Sequence, residues 1–160
     1  MKVKFEKNIL SRLLKYDFNE NSSPTFGFQF VVKIFKIDGH QIKAQIWDTT
    51  GRERYKKVAL IYSRGTKGAL VVYDITNKES FDKVVNHIND LKKFAQKDVS
   101  IILIGNKNDL EDKREIMKEQ GEEKAKKHNA SFIETSALTG ENLDKAFKIL
   151  MTEIYKKEKN

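Results

Sequence analysis

Residues 101–110 read IILIGNKNDL. Four consecutive apolar residues, with a polar run before them and a Gly-Asn turn after, fit a strand buried on both faces. The polarity then changes at once. Asn106, Lys107 and Asp109 emerge from the end of that strand, where open α/β sheets bind their ligands. A carboxylate at Asp109 can accept two hydrogen bonds, from the N1–H and the exocyclic amine of a guanine, and adenine offers no such pair. Asn106 can tie neighbouring loops together, and the aliphatic stem of Lys107 can cover a base plane. Taken bare, N-K-x-D also suits a polar loop that carries charge for solubility, so its meaning depends on the rest of the chain.

The chain has 160 residues, enough for one domain with a substantial core. It has no cysteine, which removes disulfides and thiolate metal sites and fits a reducing compartment. No apolar run is long enough to span a bilayer, and no signal peptide is evident at the start, so a cytoplasmic placement is expected. The 31 basic residues, mostly lysine, exceed the 23 acids by a net +8. Because the lysines are spread among acids along the chain, they read as a solvated coat rather than a nucleic-acid stripe, which would interleave aromatics.

Working outward, Gly68 to Asp74 (GALVVYD) is a second buried strand, and Ser131 to Glu134 is a short one. Asp38-Gly39 lies between two alternating runs, Phe28 to Ile37 and Gln41 to Asp48, and is a strong hairpin signal. Ile42, Ala44 and Ile46 share one face of the second run. Helical periodicity appears at residues 6–16, from a capping box at Thr76–Glu79 through about Gln96, weakly at 115–127 around Gly121, and from Glu141 to about Lys157. Met1 to Phe5 alternates Lys with Val and Phe, but no loop separates it from the first helix. Asp17 to Thr25 is a loop of turn formers, and Thr49 to Lys67 has no clean period. Strands alternating with helices predict a mostly parallel sheet covered on both faces, with an antiparallel hairpin at its edge.

Three further stretches fall at strand ends. Trp47-Asp48-Thr49-Thr50-Gly51 offers a carboxylate for Mg2+ and a glycine N–H that can approach a phosphate closely. Thr25 could add a hydroxyl to that metal, and the backbone N–H groups of Glu134-Thr135-Ser136-Ala137 could reach a base carbonyl beside Asp109. Singly, these also read as a hairpin end, a loop threonine and a helix cap.

Together with IGNKNDL, the stretches WDTTGRERY, YSRGTKGALVVYDIT and FIETSA give a chain that resembles the Ras superfamily of small GTPases over residues 8–155. Within it, TFGFQF at residues 25–30 and the ending KILMTEIY are similar to the Rab family and its recycling-endosome branch. The resemblance implies a P-loop NTPase-type α/β domain and a nucleotide-switched regulator of vesicle traffic. It implies Thr25 and Asp48 for Mg2+, Gly51 for the γ-phosphate, and Asn106, Lys107, Asp109, Ser136 and Ala137 for the guanine of GTP or GDP. Phe30, Trp47 and Tyr62 match the aromatic triad with which Rab proteins meet effectors; the same rings could simply pack on the hairpin. Expected partners are effector and regulator proteins, with endomembranes reached only through them and no nucleic acid.

The chain departs from the family in three places. The apolar first strand and the phosphate loop G-x-x-x-x-G-K-[ST] are missing, and alignment puts Glu6 and Lys7 where the phosphate-binding Lys and the Mg2+-binding hydroxyl belong. Losing four charge-assisted hydrogen bonds costs on the order of 6–12 kcal/mol, roughly four to nine decades of affinity. The glutamine that the resemblance implies for orienting the attacking water is Arg52, a donor-only side chain, so hydrolysis is expected to be slow or absent and no catalytic residue is assigned. The ending KKEKN has no cysteine to carry a lipid. A sheet without its first strand is expected to have a gap between the hairpin and GALVVYD, with apolar edges exposed. Two origins fit: a truncated gene model lacking an upstream segment that joins near Asn8, or a degenerate GTPase that keeps its effector surface as a non-enzymatic interaction module.

Overall fold

The computed structural model describes residues 2–5, 9, 29–48 and 64–159. Its strands are β1 (Lys2–Phe5), β2 (Gln29–Ile37), β3 (His40–Asp48), β4 (Thr66–Asp74), β5 (Ser100–Asn106) and β6 (Ser131–Thr135). They form one sheet in the order β2-β3-β1-β4-β5-β6. β5 is buried at every position, as its uninterrupted apolar run requires. It pairs in parallel with β4 on one side and β6 on the other, bringing Asp74, Asn106 and Thr135 into line at one end of the sheet. β2 and β3 form the expected antiparallel edge hairpin. Asp38 and Gly39 take φ angles of +48° and +78° at its turn, the paired left-handed conformations that a two-residue primed turn demands.

The expected gap at the first-strand position is corrected by β1. Lys2–Phe5 lies parallel between β3 and β4, with Lys2 opposite Gln45 and Phe5 opposite Asp48, and with Val3 opposite Gly68. The Lys-Val-Lys-Phe alternation suits a strand, and without it β3 and β4 would each present a row of unpaired N–H and C=O groups. Only residues 6–8 separate Phe5 from Ile9, which is helical and fully buried. An eight-residue phosphate loop has no room there. The remainder of the expected helix at residues 6–16 and the loop at 17–25 lie outside the described residues.

Alternate side chains of the central strands feed two cores. Leu70, Ile102 and Ile104 join Ala44, Ile46 and Ile9 beneath the long helix that ends the chain, which contributes Phe147, Leu150 and Ile154. On the other face Val71, Tyr73, Ile101 and Leu103 meet Phe81, Val84, Ile88 and Leu91. The helices on that face are α1 (Lys78–Asp82), α2 (Val84–Phe94) and α3 (Lys118–Lys127); the terminal helix is α4 (Leu143–Lys159).

The expected capping box is also corrected. Asn77 caps α1, its side chain accepting from the Ser80 N–H at 2.9 Å, whereas the Thr76 N–H and hydroxyl both donate to Asp74. The single helix expected through Gln96 is divided at Lys83 into α1 and α2.

Gly121 explains why α3 reads weakly as a helix. A Cβ there would lie 2.5 Å from the Phe132 ring edge and 2.5 Å from the Tyr73 hydroxyl, so the helix rests directly on the sheet. Gly121→Ala gains up to about 1 kcal/mol of helix propensity but forces the buried Tyr73 and half-buried Phe132 rings to move, at about 1–3 kcal/mol. Urea unfolding should show net destabilisation, and a more stable variant would show that α3 has room to lift. Val3→Pro removes an N–H from a strand paired on both sides and should cost about 3 kcal/mol or more. An unchanged unfolding midpoint would remove β1 from the centre of the sheet.

Candidate nucleotide-binding site

The ends of β5 and β6 are joined through Asn106. Its side-chain oxygen accepts from the Ala137 N–H at 3.0 Å and from the Thr135 hydroxyl at 3.2 Å, and the side chain is buried. One residue beyond Lys107, the Asn108 N–H donates to the Thr135 carbonyl at 3.1 Å. The loop after β5 and the loop after β6 are therefore one braced unit, as expected for an Asn that ties loops together.

Lys107 adopts a left-handed backbone with φ of +70° and pairs its ammonium with Asp74 at 2.5 Å. Burial alone would push the Asp74 carboxyl up, but hydrogen bonds from Lys107 and Thr76 outweigh it and hold the group below the usual carboxylate range. The pair fixes the ammonium end of the Lys107 side chain across the ends of β4 and β5.

Asp109 follows on the same loop and is half-buried. Its Oδ1 is sheltered from solvent and has no hydrogen-bond partner among the described residues. A buried acceptor without a donor is costly, on the order of 1–3 kcal/mol. The chemistry that satisfies it is a ligand presenting N–H groups, and the paired donors on one edge of guanine fit.

Ser136 and Ala137 behave differently from expectation. Both are buried, but the Ser136 N–H donates to the Glu141 carbonyl at 3.2 Å and the Ala137 N–H to Asn106. Buried N–H groups take internal partners wherever these are available. In this arrangement the two residues brace the site and do not present free donors to a base carbonyl.

A residue that sequence reasoning missed holds the site from behind. Arg114 grips Glu134 through two hydrogen bonds of 2.7 and 3.0 Å and Glu111 through two of 2.9 and 2.7 Å, and donates to the Ile116 carbonyl at 2.9 Å. The Glu134 and Glu111 hydrogen bonds raise the guanidinium pKa still further above its ordinary value. Glu134 belongs to β6, while Glu111 and Arg114 follow the base loop, so the clasp fastens that loop to the sheet. The available signal was a single Arg in an otherwise acidic and lysine-bearing loop, with partners 3 and 20 residues away.

Of the remaining candidates, Asp48 ends β3 opposite Phe5, at the same end of the sheet as Asn106. Thr25, Gly51, Arg52 and Tyr62 lie outside the described residues. Phe30 and Trp47 are register partners in the hairpin. In the same strand as Phe30, Val32 and Ile34 are 43% and 58% exposed, with Gln45 and Lys43 as their register partners.

The Ras family model matches residues 6–156. The Ras-related protein Rab2BV of Beta vulgaris is 43% identical over 150 residues, covering 94% of this chain and 70% of that protein. The Ras-related protein Rab11C of Lotus japonicus is 41% identical, with 94% and 69% covered. The GTP-binding protein ypt3 of Schizosaccharomyces pombe is 42% identical, with 94% and 71% covered. With the parallel sheet, the edge hairpin and the braced N-K-x-D loop already in place, these matches establish that the chain belongs to the Ras family of small GTPases, among its Rab-related members.

Proposed function

We propose that this chain is a Rab-type guanine-recognising module of vesicle traffic in which phosphate binding and GTP hydrolysis are impaired. The observation that carries this reading is Asp109: a sheltered carboxylate oxygen without a donor among the described residues, on a loop braced by Asn106 and clasped by Arg114. Asp109 selects the base, Asn106 and the backbone of Ser136 and Ala137 hold its loop, and the Lys107 stem borders it. Mg2+, when bound with nucleotide, neutralises phosphate charge; Thr25 and Asp48 are the residues assigned to it and Gly51 to the γ-phosphate.

The phosphate side supports weak binding. Only Glu6, Lys7 and Asn8 stand between β1 and Ile9 where the family has a glycine-rich loop, so the backbone cradle for the α- and β-phosphates is absent. A second reading, a pseudo-GTPase that acts only by protein contact, is favoured by the two exposed apolar side chains on the hairpin. There Phe30 and Trp47 are in register near exposed Val32 and Ile34, and Tyr62 is assigned to the same effector contact.

Two measurements test this. Guanosine, GMP, GDP and GTP should bind within about tenfold of one another, because base contacts dominate, and Asp109→Ala should abolish whatever binding is seen. Stoichiometric GDP or GTP released from the denatured, freshly purified chain would show that phosphate binding has been rebuilt from other residues. An empty, folded protein that captures effector through Trp47 would establish the protein-contact reading. Separately, in a chain given the family's phosphate loop, Arg52→Gln should raise single-turnover GTP hydrolysis. Equal rates before and after the substitution would take Arg52 out of the account.

A further inference from the structure

The end of the sheet opposite the base site is assembled from five segments of chain. The Tyr155 hydroxyl and His40 Nδ1 lie 2.9 Å apart, joining α4 to the hairpin turn. Lys157 donates to the Asp98 carbonyl at 2.8 Å, Lys92 to the His128 carbonyl at 2.9 Å, and the Gln96 N–H to the Thr66 carbonyl at 3.3 Å. Lys67 pairs with Glu158. Residues 36–41, 66–67, 92–98, 124–129 and 155–159 thus form one end of the molecule.

These segments hold eleven lysines, no arginine and three acids, Asp38, Asp98 and Glu158. The excess equals the net +8 of the whole chain, and the remaining residues hold twenty basic and twenty acidic groups. The even coat expected from the sequence is therefore not what the fold produces. Nine of the eleven lysines are exposed. Lys127 has a local partner in Glu123, one turn back on α3.

Three helices end here, each with lysines in its last turn. A helix macrodipole is answered by about half a unit charge, so three account for roughly 1.5 and leave most of the excess unexplained. The outer strands of a six-stranded sheet stand about 24 Å apart at the usual strand spacing, so the charge is spread broadly and not gathered into a groove. Phe94 and Tyr155 lie beneath Lys93 and Lys159, at 5.4 and 4.7 Å from ring centroid to ammonium. Covered rings are poor platforms for stacked bases, and these five segments hold no arginine fork to grip a phosphodiester. A wide array of point charges matches an extended anionic plane. We propose that this end is a membrane-facing surface, which adsorbs directly to bilayers rich in anionic phospholipid and leaves the base site facing away from them.

Each lysine held at such a surface contributes roughly fivefold in partition. The test is co-sedimentation of the full chain with phosphatidylcholine vesicles containing about one-third phosphatidylserine or none, at low salt and at about 0.5 M NaCl. Partition onto the anionic vesicles alone, lost at high salt, is expected. The fourfold variant K93E/K97E/K126E/K156E should lose at least about 100-fold. The matched variant K78E/K113E/K118E/K145E, at the other end of the helices, should stay within about threefold of the parent. Both variants lower the net charge from +8 to zero, so only the position of the charge differs. Circular dichroism confirms that each is folded, and if either is not, the lipid and salt dependence of the parent chain decides. Failure of the parent to bind anionic vesicles, or equal loss in the two variants, would overturn the proposal. So would tighter binding to a single-stranded RNA oligomer, lost in the first variant, which would assign the surface to nucleic acid.

Discussion

Four residues at the centre of the sheet carry a disproportionate share of its architecture. β1 satisfies backbone groups on β3 at one side and β4 at the other, and through those pairings the hairpin becomes continuous with the strands that hold the base loops. An unfilled slot would leave two facing edges, each with unpaired polar backbone that the interior cannot tolerate. What the sheet needs at that position is a pair of hydrogen-bonding edges more than a particular apolar sequence, and Lys-Val-Lys-Phe can provide them. In the sequence only three residues, 6–8, stand between β1 and Ile9.

The loops of the candidate base site are supported by an internal network. On the base side, buried contacts converge from three elements: Asn106 reaches Ala137, Arg114 reaches Glu134, and the Asn142 side chain donates to the Glu134 carbonyl at 3.0 Å. The Ile75 carbonyl anchors the far end of the same loop by accepting from the Glu115 and Ile116 N–H groups at 2.9 and 3.0 Å. Such a network holds a carboxylate in place whether or not a ligand is present, which reduces the ordering cost of binding.

Most of this was readable where a single local cause sufficed. The unbroken run Ile101–Ile104 had to be a buried strand, Asp38-Gly39 had to turn, and the stripe through Phe147, Leu150 and Ile154 had to pack. What escaped depended on partners distant in sequence. β1 was obscured because no turn former sets it off from the following helix, and its role rests on two strands some 40 and 65 residues away. Thr76 looked like a cap until Asp74 claimed it. The Ser136 and Ala137 N–H groups looked available until Glu141 and Asn106 took them. The lysines looked evenly sown because the convergence of three helix ends is a property of topology, invisible along the chain.

The Lys107–Asp74 pair bears on kinetics. In a site that binds an anion, an unpaired lysine at the mouth draws the ligand in over nanometre distances and makes association fast and sensitive to ionic strength. Here the ammonium is already neutralised at 2.5 Å by a carboxylate on the adjacent strand, and among the described residues the far end of the sheet is rich in lysine. A lysine neutralised in this way contributes less to long-range steering than an unpaired one would.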